Sequence, residues 1–267
     1  MDSPFWRTEF GDSPLMAAAL HDSGAVRAEV AAVLKLDAQQ RCYEEDPYTA
    51  AWTAIAPTRI IAGRSRFEFD LNRPRDTAVY LNAADAWGLD CWHSPPAPEM
   101  VARSLAAYDD FYAHLRLLLE RLLVRHERVV VFDLHSFNHR RDGREAPPAD
   151  PADKPEINLG TRSMDRAFWA PVVDSWLRAM CDYNYLDRRL DVRENVNFFG
   201  GHFPTWIHAQ FPRRVCVLAV EVKKFFMDEW TGELDERQHD AIGKALAHGA
   251  ETVSKVLQSW PKSTSRS

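Results

Sequence analysis

Several apolar runs in the chain end abruptly in polar residues. The sharpest is Val129-Val130-Val131-Phe132, preceded by the charged His126-Glu127-Arg128 and followed by Asp133-Leu134-His135-Ser136-Phe137-Asn138. A short β-branched run of this kind predicts a strand buried on both faces. Asp133, His135, Ser136 and Asn138 then stand at its exit, where ligands bind in open α/β sheets. Residues 14–20 repeat the pattern and end at His21-Asp22-Ser23-Gly24, and 215–222 form a further buried run with Glu221 near its exit.

Elsewhere the period is helical. In 98–125 Leu105, Tyr108, Phe111, Tyr112, Leu115, Leu118, Leu119 and Leu122 recur at helical spacing, predicting a long amphipathic helix that leads into the central strand. Residues 25–36, following a Ser23-Gly24 turn, predict another helix. So do 167–184, with Val172, Val173, Trp176, Leu177 and Met180 as the buried stripe, and 238–257. Asp46-Pro47 suits the start of a short helix through Trp52 and Ile55, with Asp46 as its N-cap. Strands are expected over 57–61 and over 192–199, which ends at Gly200-Gly201-His202. A half-exposed strand is expected over the alternating Phe67-Glu68-Phe69-Asp70-Leu71. It runs into Asn72-Arg73-Pro74-Arg75, where Pro74 holds Arg73 in extended or turn geometry. Residues 138–158, rich in Arg, Asp and Pro, read as a long loop, functional or disordered, and 261–267 as a frayed tail. Alternating helices and strands predict an α/β fold. The expected form is a three-layer α/β/α sandwich on a mixed, mostly parallel sheet, one domain over 1–267 with its core at about 15–258.

Composition narrows the function classes. A hydrophobic content of 46% allows a full core, and a net charge of -6 gives no electrostatic case for nucleic acid or an anionic membrane. No run approaches the ~18 apolar residues of a membrane helix, and residues 1–11 lack the apolar core of a signal peptide. A cytoplasmic protein is expected, its oligomeric state open. Cys42, Cys91, Cys181 and Cys216 lack CxxC spacing and read as free thiols.

The polar residues delivered by separate elements are His21, Glu45-Asp46, Asn72-Arg73, His135 and Glu221. Two imidazoles and a carboxylate make a zinc site with a fourth position for water. A glutamate outside that set can take the water's proton, and an arginine on a rigid turn can grip a carboxylate through two hydrogen bonds. Each residue also has a plainer account: a hydrogen-bonded histidine, an ion-paired glutamate, a helix cap at Asp46.

The order His, acidic residue, Asn-Arg, His-Ser-aromatic and late Glu resembles the zinc carboxypeptidases, although their compact His-x-x-Glu is missing, Gly24 standing three residues after His21. More of the chain follows another pattern. His21-Asp22-Ser23-Gly24, Glu45-Asp46, Asp70-Leu71-Asn72-Arg73, Asp133-Leu134-His135-Ser136, Asn158-Leu159-Gly160-Thr161, Gly200-Gly201 and Glu221 with Phe226-Met227 occur in that order. This succession resembles the N-formylglutamate amidohydrolase family. The resemblance implies one zinc per chain on His21, Asp46 and His135, with Glu45 as the alternative middle ligand, and Glu221 as general base. It also implies Arg73, helped by Arg75, on the substrate's α-carboxylate, and Asn72, Ser136, Asn158, Gly201, His202 and His208 around the substrate. Asp133 would orient the strand end or cap a turn. The implied reaction cleaves the C–N amide bond of a small N-acyl amino acid, N-formylglutamate giving glutamate and formate. A peptidase acting on peptides or cell-wall material and a non-catalytic binding module are the alternatives. The segment Gly-Gly-His-Phe-Pro-Thr-Trp-Ile-His departs from the family form by one extra residue, which leaves the substrate open. His139-Arg140-Arg141 reads as a solvated basic face or an anion contact.

Overall fold

The run at 129–137 makes the central strand that its pattern predicts. The computed structural model describes residues 4–261. Its strands are β1 (Trp6–Glu9), β2 (Leu15–Ala19), β3 (Thr58–Ala62), β4 (Val129–Phe137), β5 (Ile157–Gly160), β6 (Val192–Glu194) and β7 (Val215–Lys223), in one sheet ordered β1-β3-β2-β4-β7-β5-β6. Neighbours pair parallel except β1 with β3 and β5 with β7. The helices are α1 (Ala28–Ala31), α2 (Ala38–Glu44), α3 (Thr49–Trp52), α4 (Pro98–Arg125), α5 (Ala170–Asp182), α6 (His202–Gln210) and α7 (Glu236–Ser259). Among the described residues no helix is long and apolar enough to cross a membrane, and the four cysteines are free thiols.

Strand alternation sorts the layers. Val130, Phe132 and Leu134 of β4 join Cys216, Leu218 and Val220 of β7 in a core with α5 and α7. Val129 and Val131 join Val215 and Val217 in the opposite core with α4 and α6. On that second face the next alternate positions of β4 are Asp133 and His135. The apolar layer stops there and polar chemistry begins.

Three expected elements take other forms. The helix over 25–36 shrinks to the single turn α1, because Lys35 N–H bonds Cys91 O and His93 N–H bonds Val33 O, drawing the chain into pairing with 91–93. Asp37 then starts the unexpected α2 with a capping box. The strand over 67–71 is absent and all five of its residues are buried. Its alternation reflects buried polar partners: Glu68 takes Arg27 Nε at 2.6 Å, and Asp70 takes His21 Nε2 at 2.7 Å. The strand over 192–199 stops at Glu194, since Asn195 adopts a left-handed φ of 54°. Strands β1 and β5 were not anticipated. Of the expected tail, residues 262–267 lie outside the described residues.

A close backbone approach links the sheet to the loop before α6. A Cβ at Gly160 would meet Gly200 N at 2.5 Å and Phe199 C at 2.7 Å. Gly160→Ala should therefore force β5 and residues 199–200 apart, lowering the urea unfolding free energy by about 2 kcal/mol. An unchanged midpoint would show that the loop yields freely.

Candidate active site

The carboxyl end of β2 leads through Leu20 into His21, β4 supplies Asp133 and His135, and the turn between α2 and α3 supplies Asp46. His21 Nδ1 lies 3.3 Å and His135 Nδ1 3.0 Å from one oxygen, Asp46 Oδ2. One ligand atom of each of these buried residues falls within 4.8 Å of the others. Behind them, His21 Nε2 meets Asp70 Oδ1 at 2.7 Å and His135 Nε2 meets Asp133 Oδ1 at 2.9 Å. A carboxylate on the outer nitrogen turns the other nitrogen inward as a ligand. Asp46 is not a helix cap: Tyr48 precedes α3, and the Asp46 carbonyl accepts from the Thr49 hydroxyl at 2.7 Å. Three converging donors with both imidazoles braced could hold a metal ion.

The electrostatics favour a cation at this point. Burial alone would raise the Asp46 carboxyl, but hydrogen bonds from His135 and His21 outweigh it and hold it well below the carboxylate range. At Asp70 burial is likewise outweighed by Arg66 and His21, and the carboxyl is pulled down. Burial disfavours charge on His135, yet Asp133 and Asp46 hold it well above the usual imidazole range. Glu45, the other candidate for the middle position, accepts instead from the Ser65 hydroxyl, and burial pushes it up to about 7.

Glu221 is paired in register with His135 on the neighbouring parallel strand. Both line a cavity of about 240 Å³ together with His21 and Asp46. Burial pushes the Glu221 carboxyl up to about 8. Asn72 also lines the cavity, its Oδ1 accepting from Phe203 N–H at 3.0 Å and its Nδ2 lying 3.4 Å from His135 Nε2. Gly201 permits this, because a Cβ there would meet Asn72 Oδ1 at 2.3 Å. Ser136 Oγ stands 3.5 Å from Asp46 Oδ1.

Residues 13–227 match the family model for N-formylglutamate amidohydrolase. The chain belongs to the N-formylglutamate amidohydrolase family. Its fold is similar to the crystal structure of N-formylglutamate amidohydrolase from Ralstonia eutropha JMP134, at 17% identity and TM-score 0.72, covering 95% of this chain and 98% of that one. It is also similar to a gene product of Agrobacterium tumefaciens, at 18% identity and TM-score 0.65, covering 97% and 96%. No curated protein matches the sequence.

Several residues that the resemblance implies around the substrate do not line this cavity in this member of the amidohydrolase family. Arg75 forms a double ion pair with Asp109 at 2.7 and 2.8 Å on the surface. Arg73 is outside the cavity lining, stacked on Tyr80 and Trp87 with Nε 3.9 Å from Asp70. Asn158 braces the 195–199 segment, donating to Phe198 O and accepting from Val196 and Asn197 N–H. The His202 ring packs edge-on against Tyr112. His208 is buried, its Nδ1 2.9 Å from Ser163 Oγ and its Nε2 accepting from Val217 N–H, beyond the end of the β5 ladder. The guanidinium groups that do line the cavity are Arg141, from the basic His139-Arg140-Arg141 stretch, and Arg66; Lys224 lines it too, with Nζ donating to the Tyr43 and Glu45 carbonyls at 2.7 Å each. Arg66 and Lys224 carried no sequence signal beyond their charge.

Burial lowers His208 to about 4. An unfolded imidazole titrates near ~6.5, so the unfolded chain takes up its proton first as pH falls. The folded protein should lose about 1.4 kcal/mol per pH unit at this residue between about 6.5 and 4, with no contribution above that window. Urea unfolding at graded pH should show the loss, and His208→Gln, which retains an acceptor for Val217, should reduce it. An identical slope in the variant would place His208 outside the buried, neutral class.

Proposed function

We propose that the protein is a zinc-dependent amidohydrolase that cleaves the C–N amide bond of an N-acyl amino acid, N-formylglutamate being the first substrate to assay. The observation that carries this reading is the joint placement of His21, Asp46 and His135 around one point with Glu221 in register beside them. A zinc ion held by those three donors would supply an acidified water, pKa about 7, and a Lewis-acid contact for the acyl oxygen.

The remaining work falls to the chain. Glu221 takes the proton of the attacking water and returns it to the leaving nitrogen, and a carboxyl raised to about 8 suits exchange near neutral pH. Asp70 and Asp133 hold the two imidazoles in orientation. Arg66 and Asn72, at the cavity wall, are donors for the substrate's oxygens, with Arg73 one layer behind Trp87.

Metal analysis of the purified protein should give about one zinc per chain, and His135→Ala should lose both metal and amide hydrolysis. Glu221→Gln should keep the metal while turnover falls by about 10²–10⁴-fold. A protein that binds no zinc, or a Glu221→Gln variant with full activity, would overturn the assignment.

A further inference from the structure

With Arg73 and Arg75 outside the cavity lining, another cation must meet the charge of an N-acyl amino acid. Three lysine or arginine side chains line the cavity: Arg66, Arg141 and Lys224. Two of them are already answered by a carboxylate. Arg66 Nη2 donates to Asp70 Oδ2 at 2.8 Å. Arg141 is joined to Glu44 by hydrogen bonds of 3.0 and 2.9 Å and is half exposed, so water reaches its remaining N–H groups.

Lys224 differs in both respects. It is 1% exposed, and among the described residues its ammonium forms no ion pair. The residue follows β7 directly, its N–H bonding Phe137 O at 3.0 Å, so the side chain starts from the same end of the sheet as His135 and Glu221. Nζ donates to the Tyr43 and Glu45 carbonyls at the carboxyl end of α2, where partial negative charge favours a cation. Those two bonds leave one of its three N–H groups without a partner at the cavity wall. Asp46 and Glu44 attract the ammonium only from beyond ion-pair distance. A buried charge served by neutral carbonyls alone is costly, and a full negative charge entering the cavity would complete it. The amide of an N-acyl amino acid carries no such charge, but its carboxylates do.

We infer that Lys224 binds a carboxylate of the substrate through its remaining N–H group, and so orients an N-acyl amino acid against His21, Asp46, His135 and Glu221. The inference rests on the hydrolase reading above for the identity of the ligand. The α-carboxylate and the side-chain carboxylate of glutamate offer the same chemistry, and binding measurements separate them.

Calorimetric titration in the Glu221→Gln background, where turnover is suppressed, compares N-acetyl-L-glutamate with its two monoamides, N-acetyl-L-glutamine and N-acetyl-L-isoglutamine. Lys224→Met should weaken binding of N-acetyl-L-glutamate by about tenfold or more, the worth of a charge-assisted hydrogen bond. The weakening should largely vanish with the monoamide that lacks the carboxylate held by Lys224. That ligand is N-acetyl-L-glutamine for the side-chain group and N-acetyl-L-isoglutamine for the α-carboxylate. The variant should fold, since removing an unpaired buried charge is tolerated and Tyr43 O keeps its bond from Asn138 Nδ2 at 2.7 Å. Should it not fold, Lys224→Gln gives the same comparison. An equal loss with all three ligands, no loss with any, or failure of all three to bind overturns the proposal. The hydrolase reading is judged separately, by release of glutamate from N-formylglutamate in the protein with Glu221 intact. A ligand-dependent loss at Lys224 without any such release would uphold the carboxylate contact and sink the reaction.

Discussion

A single oxygen, Asp46 Oδ2, stands against two imidazoles, and much of the surrounding structure serves to keep it there. Asp46, Asp70 and Asp133 are all buried, a concentration of carboxylates that no apolar interior tolerates unless each has partners. Asp70 divides its two oxygens, one to His21 and the other to Arg66 and Tyr80, while its first oxygen also takes Asn72 N–H at 2.8 Å. Arg66 reaches on to the Glu44 carbonyl, and the Glu44 carboxylate to Arg141. The histidines are thus joined to the outer loop by a series of polar contacts that passes through the backbone and side chain of Glu44. Such a network is stable only when complete, because a missing member leaves its neighbour buried and unanswered.

The sheet sets the second constraint. β4 and β7 pair over nine consecutive positions, from Val129 with Val215 to Phe137 with Lys223, and the pair His135 with Glu221 lies inside that ladder. A slip of one residue would turn Glu221 to the opposite face and carry an apolar neighbour to the histidine. Backbone hydrogen bonding, rather than any contact of the carboxylate itself, fixes Glu221 beside His135. Its carboxyl, raised by burial, faces the same cavity as His21, Asp46 and His135.

Elements with a strong periodic signal were legible before any coordinates. β4 and β7 each open on an uninterrupted apolar run, and α4 spans Pro98–Arg125, enclosing the apolar stripe from Leu105 to Leu122. The histidines and Asp46 were legible too, through the order of short motifs rather than through any one of them. Residues 67–71 misled because alternation marks two environments without naming them. Glu68 and Asp70 occupy a charged interior, not solvent. Spacing could not show that Arg66 rather than Arg73 or Arg75 lines the cavity, since Arg75 is captured by Asp109 and Arg73 stacks on Tyr80 and Trp87. Lys224 left no trace because its partners are backbone carbonyls, which every residue has.

The distances along the chain give this site a temporal character. Asp46 lies 25 residues from His21 and 89 from His135, and β7 enters the sheet between β4 and β5, although both β5 and β6 precede it in the sequence. Closing such spans costs chain entropy that only the finished sheet offsets. During synthesis His21 and Asp46 emerge long before the strand that brings His135, and Glu221 follows later still. The four residues therefore stand together only once β7 lies beside β4, and the nascent chain carries the parts of the site well before it can assemble them.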